Sequence, residues 1–159
     1  MADTDHTRYL EQAIQLANQG VEDDRGGPFG AVVVLDGRVI GTGCNQVTAL
    51  NDPTAHAEVI AIRAACQQLE QFHLAGAILY ASCEPCPMCL SAAYWAHVAA
   101  IYYACGTEHA ARAGFDDARI YAELSRPAGE RHVEMAAFNV ADAGEPFERW
   151  SRSTTKQMY

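Results

Sequence analysis

Apolar and polar positions follow two different periods along this chain. Tyr9, Leu10, Ala13, Ile14 and Ala17 recur at helical spacing, which predicts an amphipathic first helix with Thr4 or Asp5 as its cap and Gly20 as its stop. Residues 22–27 are polar and glycine-rich, a loop. Residues 31–35 (AVVVL) form a β-branched run, and Asp36-Gly37 separates it from a second run over 38–42, the strongest short-range signal for a hairpin. A polar loop at 44–53 leads to a helix over 54–69, with Val59, Ile62 and Ala65/Cys66 as its apolar stripe. Residues 77–82 (AILYAS) read as a strand buried on both faces. Residues 87–96 read as a helix with proline in its tolerated first turn. Residues 98–105 read as another apolar strand. Short helical pieces are expected over 108–125 around the turn Gly114-Phe115-Asp116-Asp117. A last strand is expected at 133–140 and a C-terminal helix from 142 to 159.

A hairpin feeding alternating helices and strands implies an α/β fold, one three-layer α/β/α domain over 1–159 on a mixed five-stranded sheet. At 159 residues, such a domain buries roughly 70% of its unfolded surface. Half the residues are apolar and 19% are charged, a globular composition.

Charge narrows the partners. Twenty acidic residues face eleven basic ones, for a net −9, and Lys156 is the only lysine. Such a surface is poorly suited to tracking a phosphate backbone, so no nucleic-acid partner is expected. Residues 1–20 lack a secretory pattern, which makes a cytoplasmic location the expectation. Residues 85–107 contain no Asp, Glu, Lys or Arg, yet Pro85, Pro87, Ser91 and His97 interrupt them. They read as a buried helix and strand, and no membrane partner is expected.

Six cysteines without a secretory pattern are no disulfide framework. Cys44, Cys66 and Cys105 are scattered and read as small buried residues. Cys83, Cys86 and Cys89 recur every third residue beside two prolines. Cys86 and Cys89 fall on one side of a helix start, where unpaired N–H groups favour thiolate. Two thiolates converging on one point require a cation, and soft sulfur selects zinc. His56 begins another helix, and three protein ligands leave the fourth tetrahedral position open to water, the arrangement of a catalytic site. Zinc lowers that water's pKa to about 7, giving a hydroxide. Glu58, two residues on, can take the proton and return it to a leaving group. The pair Cys83/Cys86 has the same spacing, and 86/89 is preferred because it lies nearer the helix start. A redox pair would leave His56 and Glu58 unexplained. His6, His73, His97, His109 and His132 have no such company. His56-Ala57-Glu58 with Pro85-Cys86-Pro87-Met88-Cys89 is the zinc deaminase pattern.

The chain resembles the cytidine/deoxycytidylate deaminase superfamily, and within it the small zinc-dependent guanine deaminases of bacteria. The resemblance rests on the segments 26–31 (GGPFGA), 51–58 (NDPTAHAE), 82–89 (SCEPCPMC), 113–117 (AGFDD) and the terminal Tyr159. It implies a cytidine deaminase-like fold and a hydrolase of purine catabolism that converts guanine to xanthine and ammonia. His56, Cys86 and Cys89 would bind Zn2+, and Glu58 would be the catalytic proton shuttle. Asn45 would hydrogen-bond the purine, Asp117 would contact the guanine ring and help move a proton, and Ala57 would offer a backbone contact. Phe29, Trp95 and Tyr159 would supply aromatic walls or a lid. Residues 142–159 would be exchanged between subunits, so that Tyr159 closes the partner's site in a domain-swapped homodimer. Unaided, the residues permit other roles: Asn45 as a turn residue, Phe29 and Trp95 as core aromatics, Asp116 and Asp117 as caps. A tRNA adenosine deaminase would show basic residues near the site, and a zinc-stabilised binding module would not need Glu58.

Overall fold

The computed structural model describes residues 3–159, with side chains from His6 onward. The chain divides into two units, Met1–Asp117 and Ala118–Tyr159.

The first unit opens with α1 (Asp3–Glu22). The side chains of Thr4 and Asp5, offered above as caps, lie outside the described residues. Gly20 does not stop this helix. It is buried, and a Cβ there would come within 3.0 Å of Cys44 Cβ, so the glycine serves close packing. The chain turns instead at Asp24, whose φ of 54° ends the helix while Arg25 N–H donates back to Gly20 O.

Strands β1 (Gly30–Leu35) and β2 (Arg38–Cys44) form the expected hairpin. Asp36 and Gly37 both take positive φ, as a tight two-residue turn requires. A loop and a short helix α2 (Val47–Leu50) follow, then α3 (Ala57–Leu69). The polarity of 44–53 hid α2, which is one turn long with no buried residue. Helix α3 begins three residues later than expected, because Asp52 Oδ1 accepts from Thr54 N–H and Oγ1–H, tying Thr54 into a turn. Strand β3 (Ile78–Cys83), helix α4 (Pro87–Trp95), strand β4 (Ala100–Cys105) and α5 (Thr107–Arg112) complete the unit.

The sheet is mixed, with order β2-β1-β3-β4, antiparallel except for the parallel pair β3/β4. Side chains alternate across it. Val32, Val34 and Tyr80 meet Tyr9 and Ala13 of α1 on one face. Ala31, Val33 and Leu79 meet Ala57, Ala61 and Ala65 of α3 and Ala93 of α4 on the other. Because both faces are covered, these strands are continuous apolar runs. Helix α3 lies unusually close to β2: a Cβ on Gly41 or Gly43 would fall against the carbonyl oxygen of Ala61 or Ala57.

Four strands form this sheet, not the five expected. Residues 134–140 are neither helix nor strand among the described residues. Val133, Met135, Phe138 and Val140 are all exposed. Alternation of apolar residues marks a segment able to join a sheet, but a strand exists only where another edge receives its hydrogen bonds.

The second unit holds α6 (Ala118–Leu124), a 3-10 turn (Ala128–Glu130) and α7 (Glu145–Arg152). Helix α7 is shorter than the 142–159 expected. Asp142 has a φ of 60°, outside helical space, and Pro146 marks the first turn. No helix among the described residues is long and apolar enough to cross a membrane. Residues 85–107 are accounted for by α4 and β4.

Candidate active site

Two helix starts face each other at the ends of β2 and β3. His56 caps α3 and Cys86 caps α4, both in extended backbone conformation, with Pro87 in the first turn of α4. Nδ1 of His56 lies 3.5 Å from Cys86 Sγ and 3.4 Å from Cys89 Sγ. All three donor atoms fall within 4.8 Å of one another. A tetrahedral zinc with bonds of about 2.0 Å to nitrogen and 2.3 Å to sulfur separates such donors by about 3.5 Å, so this set fits the ion. Cys83 takes no part in the cluster: its S–H donates to Gly106 O at 3.5 Å.

The electrostatics separate the cysteines. Cys89 S–H and His56 beside Cys86 hold its thiol down to about 4, against the opposing effect of burial. Cys83 is pushed up to about 12 by burial and by its neighbour Cys105. Cys86 in turn raises the pKa of His56. Glu58 is buried, with Oε2 3.3 Å from Cys89 Sγ, and burial raises its carboxyl above the usual range. Asp117 is raised as well, first by burial and then by the Cys86 thiolate.

A cavity of about 790 Å3 opens over this cluster. His56, Glu58, Cys86, Asn45, Phe29 and Asp117 line it, six of the ten site residues named from the sequence. Cys89 and Ala57 are fully buried without lining it. Trp95 is 64% exposed at the end of α4, and Tyr159 is 69% exposed.

Sequence reasoning did not single out several cavity residues. Phe115 packs edge-on against Phe29, with centroids 5.0 Å apart. Glu84, inside the segment 82–89, lines the cavity as well. Asp24, Thr48, Gly26 and Gly27 also line the cavity. Asp24 and Thr48 carry no local signal; only the fold brings them here. Asp24, Glu58, Glu84 and Asp117 are acidic, and the cavity lining contains no lysine or arginine.

Residues 3–105 match the cytidine and deoxycytidylate deaminase zinc-binding region, and the chain belongs to that family of deaminases. Within the family it is 49% identical over 154 residues to the guanine deaminase of Bacillus subtilis (strain 168), covering 97% of this chain and 99% of that one. The X-ray structure of the B. subtilis guanine deaminase matches with a TM-score of 0.94, over 97% of this chain and 98% of that chain. The guanine deaminase of Nitrosomonas europaea matches at 30% identity with a TM-score of 0.64, over 69% of this chain and 63% of that one. The tRNA-specific adenosine deaminase of Agrobacterium fabrum is 46% identical over 99 residues, 62% of this chain and 64% of that one.

Proposed function

We propose that this chain hydrolyses guanine to xanthine and ammonia. The carrying observation is where the similarity runs. The family region ends at residue 105, but the match to the B. subtilis guanine deaminase covers 154 residues and so includes residues outside that region. An acidic cavity without a cation suits an uncharged base better than a polyanion.

His56, Cys86 and Cys89 would hold zinc, which when bound supplies Lewis-acid activation of water. Burial raises the Glu58 carboxyl above the usual range; as the carboxylate it can take a proton from the attacking water and, once protonated, deliver it to the departing amine. One carbon–oxygen bond forms at the ring carbon bearing the amino group. The carbon–nitrogen bond breaks, and ammonia leaves. Asp117 would accept from the ring's N–H groups, and Asn45 would donate to a ring acceptor. Phe29, seated against Phe115, would give the base a flat wall. Ala57, at the start of α3, would offer its backbone.

Residues 142–159 are proposed to exchange between subunits, Tyr159 of the partner subunit closing the cavity and Trp95 adding to the walls. The exposed apolar residues Val133, Met135, Phe138 and Val140 support this reading, as a surface that a second copy of the chain would cover.

Ammonia release from guanine, adenine, cytosine, cytidine and ammeline by the zinc-replete protein tests the function. Guanine is expected to be turned over. No ammonia from guanine, with turnover of another of these compounds, would overturn the reading.

A further inference from the structure

Asn45 is 96% buried, at 4% exposure, yet it lines the cavity. Its Oδ1 accepts from Gly27 N–H at 3.1 Å and from Val47 N–H at 3.2 Å. Backbone N–H groups only donate, so the amide cannot be turned over: its oxygen must face the loop and α2. What Asn45 offers to the cavity is therefore its Nδ2 donor. A residue able to be donor or acceptor is held as a donor.

Space for this arrangement comes from Gly26. Its φ lies outside the left-handed region, so any residue could take its backbone shape. A Cβ at this position would meet Asn45 Oδ1 well inside van der Waals contact, and Asn45 O at 2.9 Å. The backbone oxygen can yield only if the chain at Asn45 itself moves, and the side-chain oxygen would have to leave its seat, taking both accepted hydrogen bonds with it. The neighbouring Gly27 supplies one of those donors, and a Cβ there would come within 3.1 Å of both Phe29 and Phe115.

We propose that Gly26 is a positioning residue that locks Asn45 with its amide nitrogen toward the substrate, making the site selective for bases with a hydrogen-bond acceptor at that edge. The inference rests on the deaminase reading above and concerns how the same cavity reads its base.

A double-mutant cycle tests it. Gly26→Ala should raise KM about tenfold, the scale of one lost hydrogen bond, with kcat within a few fold and zinc content unchanged. Asn45→Ala should raise KM similarly, and in that background Gly26→Ala should add less than it does alone, because the side-chain oxygen is gone and only the contact with the Asn45 backbone remains. A purely structural defect would lower the active fraction and hence kcat, leaving KM alone. Additive effects on KM, or a wild-type KM in Gly26→Ala, overturn the proposal. Should Gly26→Ala fail to fold, Asn45→Asp decides: it keeps an oxygen for both N–H groups, exchanges the donor for an acceptor and adds a negative charge. It must raise KM at least as much as Asn45→Ala; an unchanged KM sinks the idea. If the wild type releases no ammonia from guanine, the function reading fails by itself, and the cycle is run on whichever base it does turn over.

Discussion

Cys89 Sγ lies 3.3 Å from Glu58 Oε2, although the two residues stand in the first turns of different helices, α4 and α3. An acidic side chain is thus buried against a sulfur that itself lies 3.4 Å from His56 Nδ1. Burying a carboxylate beside a thiolate is costly unless a cation or proton lies between them. The proposed metal and the proposed proton shuttle therefore explain one another.

Glu58→Gln should leave zinc bound, since the three donors are untouched. Turnover should drop by about a thousandfold, the usual scale of general acid–base catalysis. Metal analysis and steady-state rates on one preparation check both halves. Loss of zinc together with activity would make Glu58 a ligand.

The two Cys-x-x-Cys pairs should behave differently. Cys89→Ala or Cys86→Ser should release zinc, because each removes one of three converging donors. Cys83→Ser should keep it, since that thiol stays protonated, with a pKa of about 12, and faces Gly106 O. Competition with a chromophoric chelator reads the affinities.

Gly43 and Gly41 offer a matched pair. A Cβ on either would collide with the carbonyl oxygen of Ala57 or Ala61, one turn apart on α3. Alanine at either position should lower stability by about 1–3 kcal/mol. Only Gly43→Ala should also weaken zinc binding, because Ala57 sits between His56 and Glu58. Thermal melts of the metal-free proteins with chelator competition separate the two effects.

Asp117 gives a pH test. In the metal-free protein its folded pKa is raised above the unfolded 3.8, first by burial and then by the Cys86 thiolate. Its contribution to stability is present below the unfolded pKa and is lost as pH rises through the folded one. Asp117→Asn should therefore be at least as stable as the wild type at pH 7, with a flatter dependence between pH 4 and 7, while guanine turnover falls. A variant less stable at pH 7 would place Asp117 in a stabilising pair instead.

Subunit exchange can be read in mixtures. Glu58→Gln lacks the shuttle but keeps its tyrosine; Tyr159→Ala lacks the tyrosine but keeps the shuttle. Unfolded together and refolded, they should regain about a quarter of wild-type activity, from heterodimers holding one complete site. No gain over the separate variants would place Tyr159 in its own subunit's site or outside both.

Much of this protein is local information. Hydrophobic patterns placed α1, α3, α4 and the strands of the four-stranded sheet, since helical repeats and apolar runs are written in consecutive residues; β4, read as buried, proves to have no buried residue. The motif 82–89 placed two sulfurs on one side of a helix start, because three residues nearly close a helical turn. Other features depend on contacts between distant segments, and only the tertiary structure decided them. Gly20 looked like a helix stop and proved to be a packing surface for Cys44. Residues 133–140 have the alternation of a strand but no paired edge among the described residues. Asp24, Thr48 and Glu84 reach the cavity through the folding of their loops. Asn45 looked like a turn residue until two backbone N–H groups, from Gly27 and Val47, fixed which end of its amide faces the cavity.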